Sequence, residues 1–157
     1  MTRIKGFTLV ELMVIVALVA IMAAIAVPSF TDFIRKNEIQ AAADDITGLL
    51  QFARNQAINT RSSVTVTRDP GNHKWVVTVL GEESRVLSYN PAKVAFDTAP
   101  DLTSNKLTFN AYGGANKASI ITICRGEDSD NGYLLEVKRS GRLALSARGG
   151  APEDCDV

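Results

Sequence analysis

The chain has 157 residues, 46% of them hydrophobic, and its 17 Lys+Arg balance 17 Asp+Glu. A neutral balance excludes a global basic field for nucleic acid or anionic lipid and leaves only a local patch for that role. One histidine, two cysteines and no Gly-rich phosphate loop leave little from which to build a zinc site, a nucleotide site or a hydrolase, so no catalytic residue, metal or cofactor is expected and the chain reads as a non-enzyme.

Residues 7–27 are apolar except for Thr8 and Glu11. As a helix rising about 1.5 Å per residue, a run of roughly twenty residues covers a bilayer core of about 30 Å, and it is too long for an ordinary signal-peptide core. Arg3 and Lys5 precede it and would hold that end on the cytoplasmic side, with the remainder of the chain outside. Glu11 is out of place at bilayer depth, where a carboxylate costs several kcal/mol unless it finds a partner. A cut between Gly6 and Phe7 would create an ammonium group on Phe7, one helical turn before Glu11. A neighbouring copy shifted along a shared axis could bring that ammonium to Glu11. The alternative is a Glu near the helix end that snorkels or is protonated. Losing Arg3 and Lys5 with the leader would leave a formal charge near −2.

Beyond Pro28 the apolar residues Phe30, Phe33, Ile34, Ile39, Ala43, Ile46, Leu50, Ala53 and Ala57 recur at three- and four-residue steps, the stripe of an amphipathic helix. One helix is therefore expected over residues 7–59, kinked or locally melted near Pro28 and weakened at Gly48. After Thr60 the period changes to two. Strands are expected at residues 63–68, 74–80, 84–88, 106–110, 119–124, 132–138 and 141–146, with turns at 69–72 and 140–141 and loops at Asn90-Pro91 and residues 99–101. A helix followed by hairpin-spaced strands predicts an α+β fold, a meander-like antiparallel sheet on the second half of the helix. The chain divides into a leader (1–6), a membrane-spanning segment (7–28), an amphipathic helix segment (29–60) and a β-rich head (61–157).

Cys124 and Cys155 both fall in the part placed outside, and in an oxidising compartment they are expected to pair; two separate buried thiols are the alternative. Such a bridge closes a loop of about thirty residues and contributes near 3 kcal/mol in the chain-entropy picture. Asp128-Ser129-Asp130-Asn131-Gly132 has the spacing that opens a calcium loop, but position 139 is Arg139 and no acid completes it, so a polar inter-strand turn is preferred. His73 reads as a surface residue in the turn before Trp75. Lys138, Arg139, Arg142 and Arg148 form a local basic cluster suited to phosphate contacts, with no aromatic stacking platform evident beside it.

A short basic leader, then Gly6-Phe7-Thr8-Leu9-Val10-Glu11-Leu12, then the apolar run, resembles the type IV pilin class of N-terminal signal. Phe109-x-x-x-Gly113, Ile121-Thr-Ile-Cys124, Gly132-Tyr133 and Ser140-Gly141-Arg142-Leu143 resemble the GspH/FimT branch of pilin-like proteins. That branch holds minor pseudopilins of type II secretion and minor pilins of the FimU and FimT kind, and the paired cysteines favour the FimU kind. The resemblance implies a pilin-like fold, cleavage after Gly6 by a prepilin peptidase, N-methylation of Phe7 and filament assembly in which Glu11 meets a neighbour's Phe7. It implies storage in the bacterial inner membrane with a periplasmic head, and as partners other minor pilins or pseudopilins and the major pilin. Some FimT-like pilins bind DNA through Gly-Arg-x-Arg. Here Gly141-Arg142-Leu143-Ala144 lacks the second Arg, which puts nucleic acid in doubt as a partner.

Overall fold

A computed structural model of the chain describes residues 7–98, 106–125 and 128–147. Helix α1 runs Leu9–Asn59, 51 residues, and passes Pro28 without interruption, so no local melting occurs there. Proline removes one donor from the ladder, and the turns on either side stay closed. The Thr31 hydroxyl donates to the Pro28 carbonyl at 2.7 Å. The helix ends in a Schellman arrangement. Arg61 takes a left-handed φ of 49°, its N–H donates to Ile58, and the Ser62 N–H donates to Ala57 at 3.2 Å.

The chain falls into two compact units, Met1–Arg35 and Lys36–Val157. In the first, every described residue from 7 to 35 is exposed, although most are apolar. In the second, eight strands follow the helix among the described residues: β1 Val64–Asp69, β2 Lys74–Val79, β3 Glu82–Ser88, β4 Ala95–Thr98, β5 Lys106–Phe109, β6 Ser119–Arg125, β7 Asp128–Val137 and β8 Leu143–Ala147. They form two four-stranded antiparallel sheets, ordered β3-β2-β1-β5 and β4-β6-β7-β8. The expected single meander is thus divided. β5 returns to lie beside β1 (Val66 opposite Leu107), while β4 joins β6 (Phe96 opposite Ile123). β4 carries no alternating pattern long enough to announce it. β7 begins at Asp128, so residues 128–132 are strand and not the expected turn.

One core joins the helix to both sheets. Ile39, Ala43, Ile46, Leu49, Leu50, Ala53 and Ala57 bury the inner helix face against Val64, Val66, Trp75, Val77, Leu107 and Phe109 of the first sheet and Phe96, Ile121, Ile123, Leu135 and Val137 of the second. Each large apolar side chain buried in this way contributes about 1.5–3 kcal/mol. Ala43, Ala53 and Ala57 are fully buried.

The two sheets are also joined at their loops. Gly141, at φ 76°, lies against the Gly113 carbonyl so closely that a Cβ would collide with it. Arg54 of α1 donates from Nε to the same carbonyl at 3.0 Å. At the opposite end of the helical face, Glu38 takes Lys93 Nζ and Arg125 at 2.7 Å each. The Lys93 hydrogen bond holds the Glu38 carboxyl below its ordinary 4.5; desolvation opposes it, and the Lys93 and Arg125 charges add to the lowering.

Gly141→Ala is expected to destabilise the head by more than about 1 kcal/mol, because the new Cβ meets backbone and the left-handed φ is strained. Gly48→Ala, where a Cβ meets nothing within 4 Å, should stabilise by up to about 1 kcal/mol. Urea unfolding of both variants checks the pair. Glu38 stabilises the fold fully above its unfolded value of 4.5 and ceases to do so as pH falls through its lowered folded value. The stability gap between wild type and Glu38→Gln should therefore be open at pH 7 and close on acidification, and a gap unchanged down to pH 3 would refute the ion-pair account.

Candidate functional site

At the start of α1, Thr8 and Glu11 form a reciprocal capping box. The Thr8 N–H and hydroxyl each donate to Glu11 Oε2 at 2.9 Å, and the Glu11 N–H donates to Thr8 Oγ1 at 3.3 Å. The spacing T-x-x-E ahead of an apolar run is legible in the sequence as a cap, and the reading of Glu11 as a lone charge in an apolar run missed it. Within its own chain the carboxylate is therefore oriented, one oxygen fixed on Thr8, beside a 78%-exposed Phe7. The helix behind it has a mean hydropathy of 2.9 in its most apolar window, none of it buried, and is long and apolar enough to cross a membrane. Gly6 lies outside the described residues.

The second group of expected site residues sits on the head. Lys138, Arg139 and Arg142 surround the turn between β7 and β8, closed by hydrogen bonds from the Lys138 N–H to Arg142 and from the Gly141 N–H to Lys138 at 2.8 Å. Lys138 leans on Glu136 at 3.6 Å, which leaves Arg139 and Arg142 as the exposed cations of that turn among the described residues. Arg148 lies outside them. The fold adds two residues that the sequence reading did not include. Arg54 of α1 lines a polar hollow with Arg142, Gln51 and Asn55. Tyr112, 93% exposed, stands on the loop whose Gly113 touches Gly141. That loop is held by Asn110, whose Oδ1 accepts from the Tyr112 and Gly114 N–H groups at 3.0 Å. The loop that carries Tyr112 thus meets the basic turn through the Gly113–Gly141 contact. Residues 112 and 142 are thirty apart in sequence, so only the Gly113–Gly141 contact reveals their proximity.

Cys124 is buried on β6, opposite Ala95 of β4, and Cys155 lies outside the described residues. His73 is exposed, as expected, at φ 49° in the β1–β2 turn. No group of three or more metal-ligating side chains occurs among the described residues.

Two family descriptions match the chain: the prokaryotic N-terminal methylation motif over residues 1–27 and type II transport protein GspH over residues 42–141. A fimbrial protein of Pseudomonas aeruginosa is 34% identical over 126 residues, 79% of this chain and 80% of its own. A fimbrial protein of Moraxella nonliquefaciens is 29% identical over 132 residues, covering 83% and 82% of the two chains. Among solved structures, the type IV minor pilin FimU of P. aeruginosa superposes with a TM-score of 0.66 at 24% identity, over 79% of this chain and 99% of its own. The minor pseudopilin EpsH from the type 2 secretion system of Vibrio cholerae does so at 0.58 and 15%, over 70% and 97%; at these identities both speak to the fold. The methylation motif covers the apolar start, the GspH match covers helix and sheets alike, and together they make the chain a member of the GspH branch of the type IV pilin-like proteins.

Proposed function

We propose that the chain is a FimU-type minor pilin that joins a type IV pilus and helps to initiate or cap it, in the service of twitching motility and adhesion. The observation that carries this reading is a helix that, from Leu9 to Val27, is exposed and apolar on all sides apart from an oriented carboxylate at Glu11 near its start. Such a surface is satisfied by lipid or by copies of similar helices and by little else. In this reading a prepilin peptidase cuts between Gly6 and Phe7, and Phe7 is N-methylated. The protein waits in the inner membrane with its head in the periplasm and then enters the filament. Glu11 neutralises the Phe7 ammonium of the next subunit and so sets the axial register. The Cys124–Cys155 bridge ties the tail to β6. The FimU likeness, with the fimbrial relatives, favours a pilus over the alternative, a minor pseudopilin of type II secretion.

The capping box gives Glu11 a second duty, and two substitutions separate the two. Glu11→Gln keeps a side chain that can cap and removes the charge; Glu11→Ala removes both. Pairing with Phe7 predicts that both variants insert in the membrane and both fail to enter sheared filaments. Normal incorporation of Glu11→Gln would assign the residue to capping alone.

A second reading, a filament-borne DNA receptor, is favoured by one observation: Arg54 and Arg142 line one polar hollow, and the loop carrying the exposed Tyr112 meets the turn before Arg142 through the Gly113–Gly141 contact, so that cations and a ring are both on offer to single-stranded nucleic acid. The full chain in detergent should then retain a single-stranded oligonucleotide at low salt, and Tyr112→Ala should weaken retention about fivefold or more. No retention at low salt would end this reading.

A further inference from the structure

Two surfaces of the head carry opposite charges that the chain itself leaves unanswered. The first is a groove of about 230 Å³ between α1 and the end of β3 with the residues that follow it. Ala41, Ala42, Leu87 and Tyr89 give it apolar walls that are exposed or half-buried. Two acids also line it. Glu38 is held by Lys93 and Arg125, whereas the exposed Asp45 has no ion-pair partner among the described residues. The second surface is the hollow lined by Arg54, Arg142, Gln51 and Asn55. It gathers two guanidinium groups and no acid among its described walls. Arg54 spends its Nε–H on the Gly113 carbonyl, and Arg142 is exposed with no ion-pair partner among the described residues. Like charges that share a hollow repel, and an acid brought between them relieves this.

The two surfaces point apart. Asp45 and Arg54 are nine residues apart on α1, about two and a half turns, so they leave the helix on opposite sides, separated by about 13 Å along its axis. The groove includes Leu87 and Ser88 of β3, one edge of the first sheet, and the hollow includes Leu143 of β8, one edge of the second. Unlike, complementary surfaces on opposite flanks of one chain meet heterologously, a contact that propagates from copy to copy where a two-fold contact would close. At about 30 Å³ per water the groove holds seven or eight waters, room for one long side chain. An arginine suits it: the methylene stem lies on the apolar walls and the guanidinium reaches the carboxylate two-pronged. We propose that the groove receives Arg142 of a second copy of this chain, its guanidinium on Asp45, and that Asp45 in turn neutralises the arginine hollow of that copy. The inference rests on the filament reading, in which copies lie parallel and shifted along a shared axis.

The test uses the full chain in detergent. Ser88→Cys marks the groove and Gln51→Cys marks the hollow, and the two variants carry tags of different size. They are mixed and treated with a short bismaleimide. The dimer of unlike variants should form about tenfold faster than either dimer of like variants. Asp45→Arg in the groove-marked chain sets like charges against each other and should slow the unlike dimer about tenfold or more. Arg142→Asp in the hollow-marked chain should then restore it. Asp45 and Arg142 are both exposed, so these reversals leave the core untouched. Like dimers that form as fast as unlike ones, a rate that Asp45→Arg leaves unchanged, or a reversed pair that fails to restore it overturns the proposal. The purified chain is tested, so a failure here is distinct from absence of the chain from sheared filaments, which counts against the pilus reading.

Discussion

A single helix has to satisfy two surroundings, and the remainder of the fold follows from that constraint. From Leu9 to Val27 α1 is apolar on every side except at Glu11, and exposed. From Ile39 to Ala57 it is apolar along one stripe, and that stripe is buried. A helix satisfies its own backbone groups, so it can enter lipid or a bundle of like helices without help. Its second part cannot leave an apolar stripe in water, and the two sheets exist, in energetic terms, to cover it. The same fifty residues therefore supply a surface offered to other molecules and the nucleus of a folded head.

Coverage by two sheets, and not by one, has consequences for where side chains with chemistry end up. Two short sheets meeting over one helix leave loops at each end of the head. At one end the Gly113–Gly141 contact brings the Tyr112 loop onto the turn before Arg142, with Arg54 against the same carbonyl. At the other end β4 closes over the β1–β2 turn and leaves a cleft with Arg68, Tyr89 and Phe96 on its walls. Both places combine cations with rings, and both are assembled from segments far apart in the chain. Glu38 fastens the helix near the second of these ends through Lys93 and Arg125. A partly exposed ion pair of this kind adds modestly to stability, and its clearer effect is to fix where the β3–β4 segment lies on the helix.

Glu11 shows how one residue can answer to two physical demands. The helix start needs acceptors for its free N–H groups, and Thr8 with Glu11 provides them. A carboxylate so oriented is also the group that a neighbouring ammonium would seek in an apolar setting. The first demand is internal to the chain and visible in its coordinates. The second arises only between copies.

What the sequence determined by itself was local and periodic. The membrane-length apolar run, the amphipathic stripe, seven of the eight strands and the T-x-x-E cap at Thr8 and Glu11 depend on spacing along the chain, which sequence displays directly, although the cap was overlooked beside the charge. The family was legible for the same reason, because its signal is a contiguous stretch around Phe7. The tertiary structure decided what depends on pairing at a distance. β4 is too short to show a period and is made a strand by β6. Residues 128–132 look like a turn in composition and are drawn into β7 by the same neighbour. The contact of Gly113 with Gly141 and the isolation of the Arg68 Nε–H among the described residues are set by which backbone lies against which. No spacing rule reaches across thirty residues to state that.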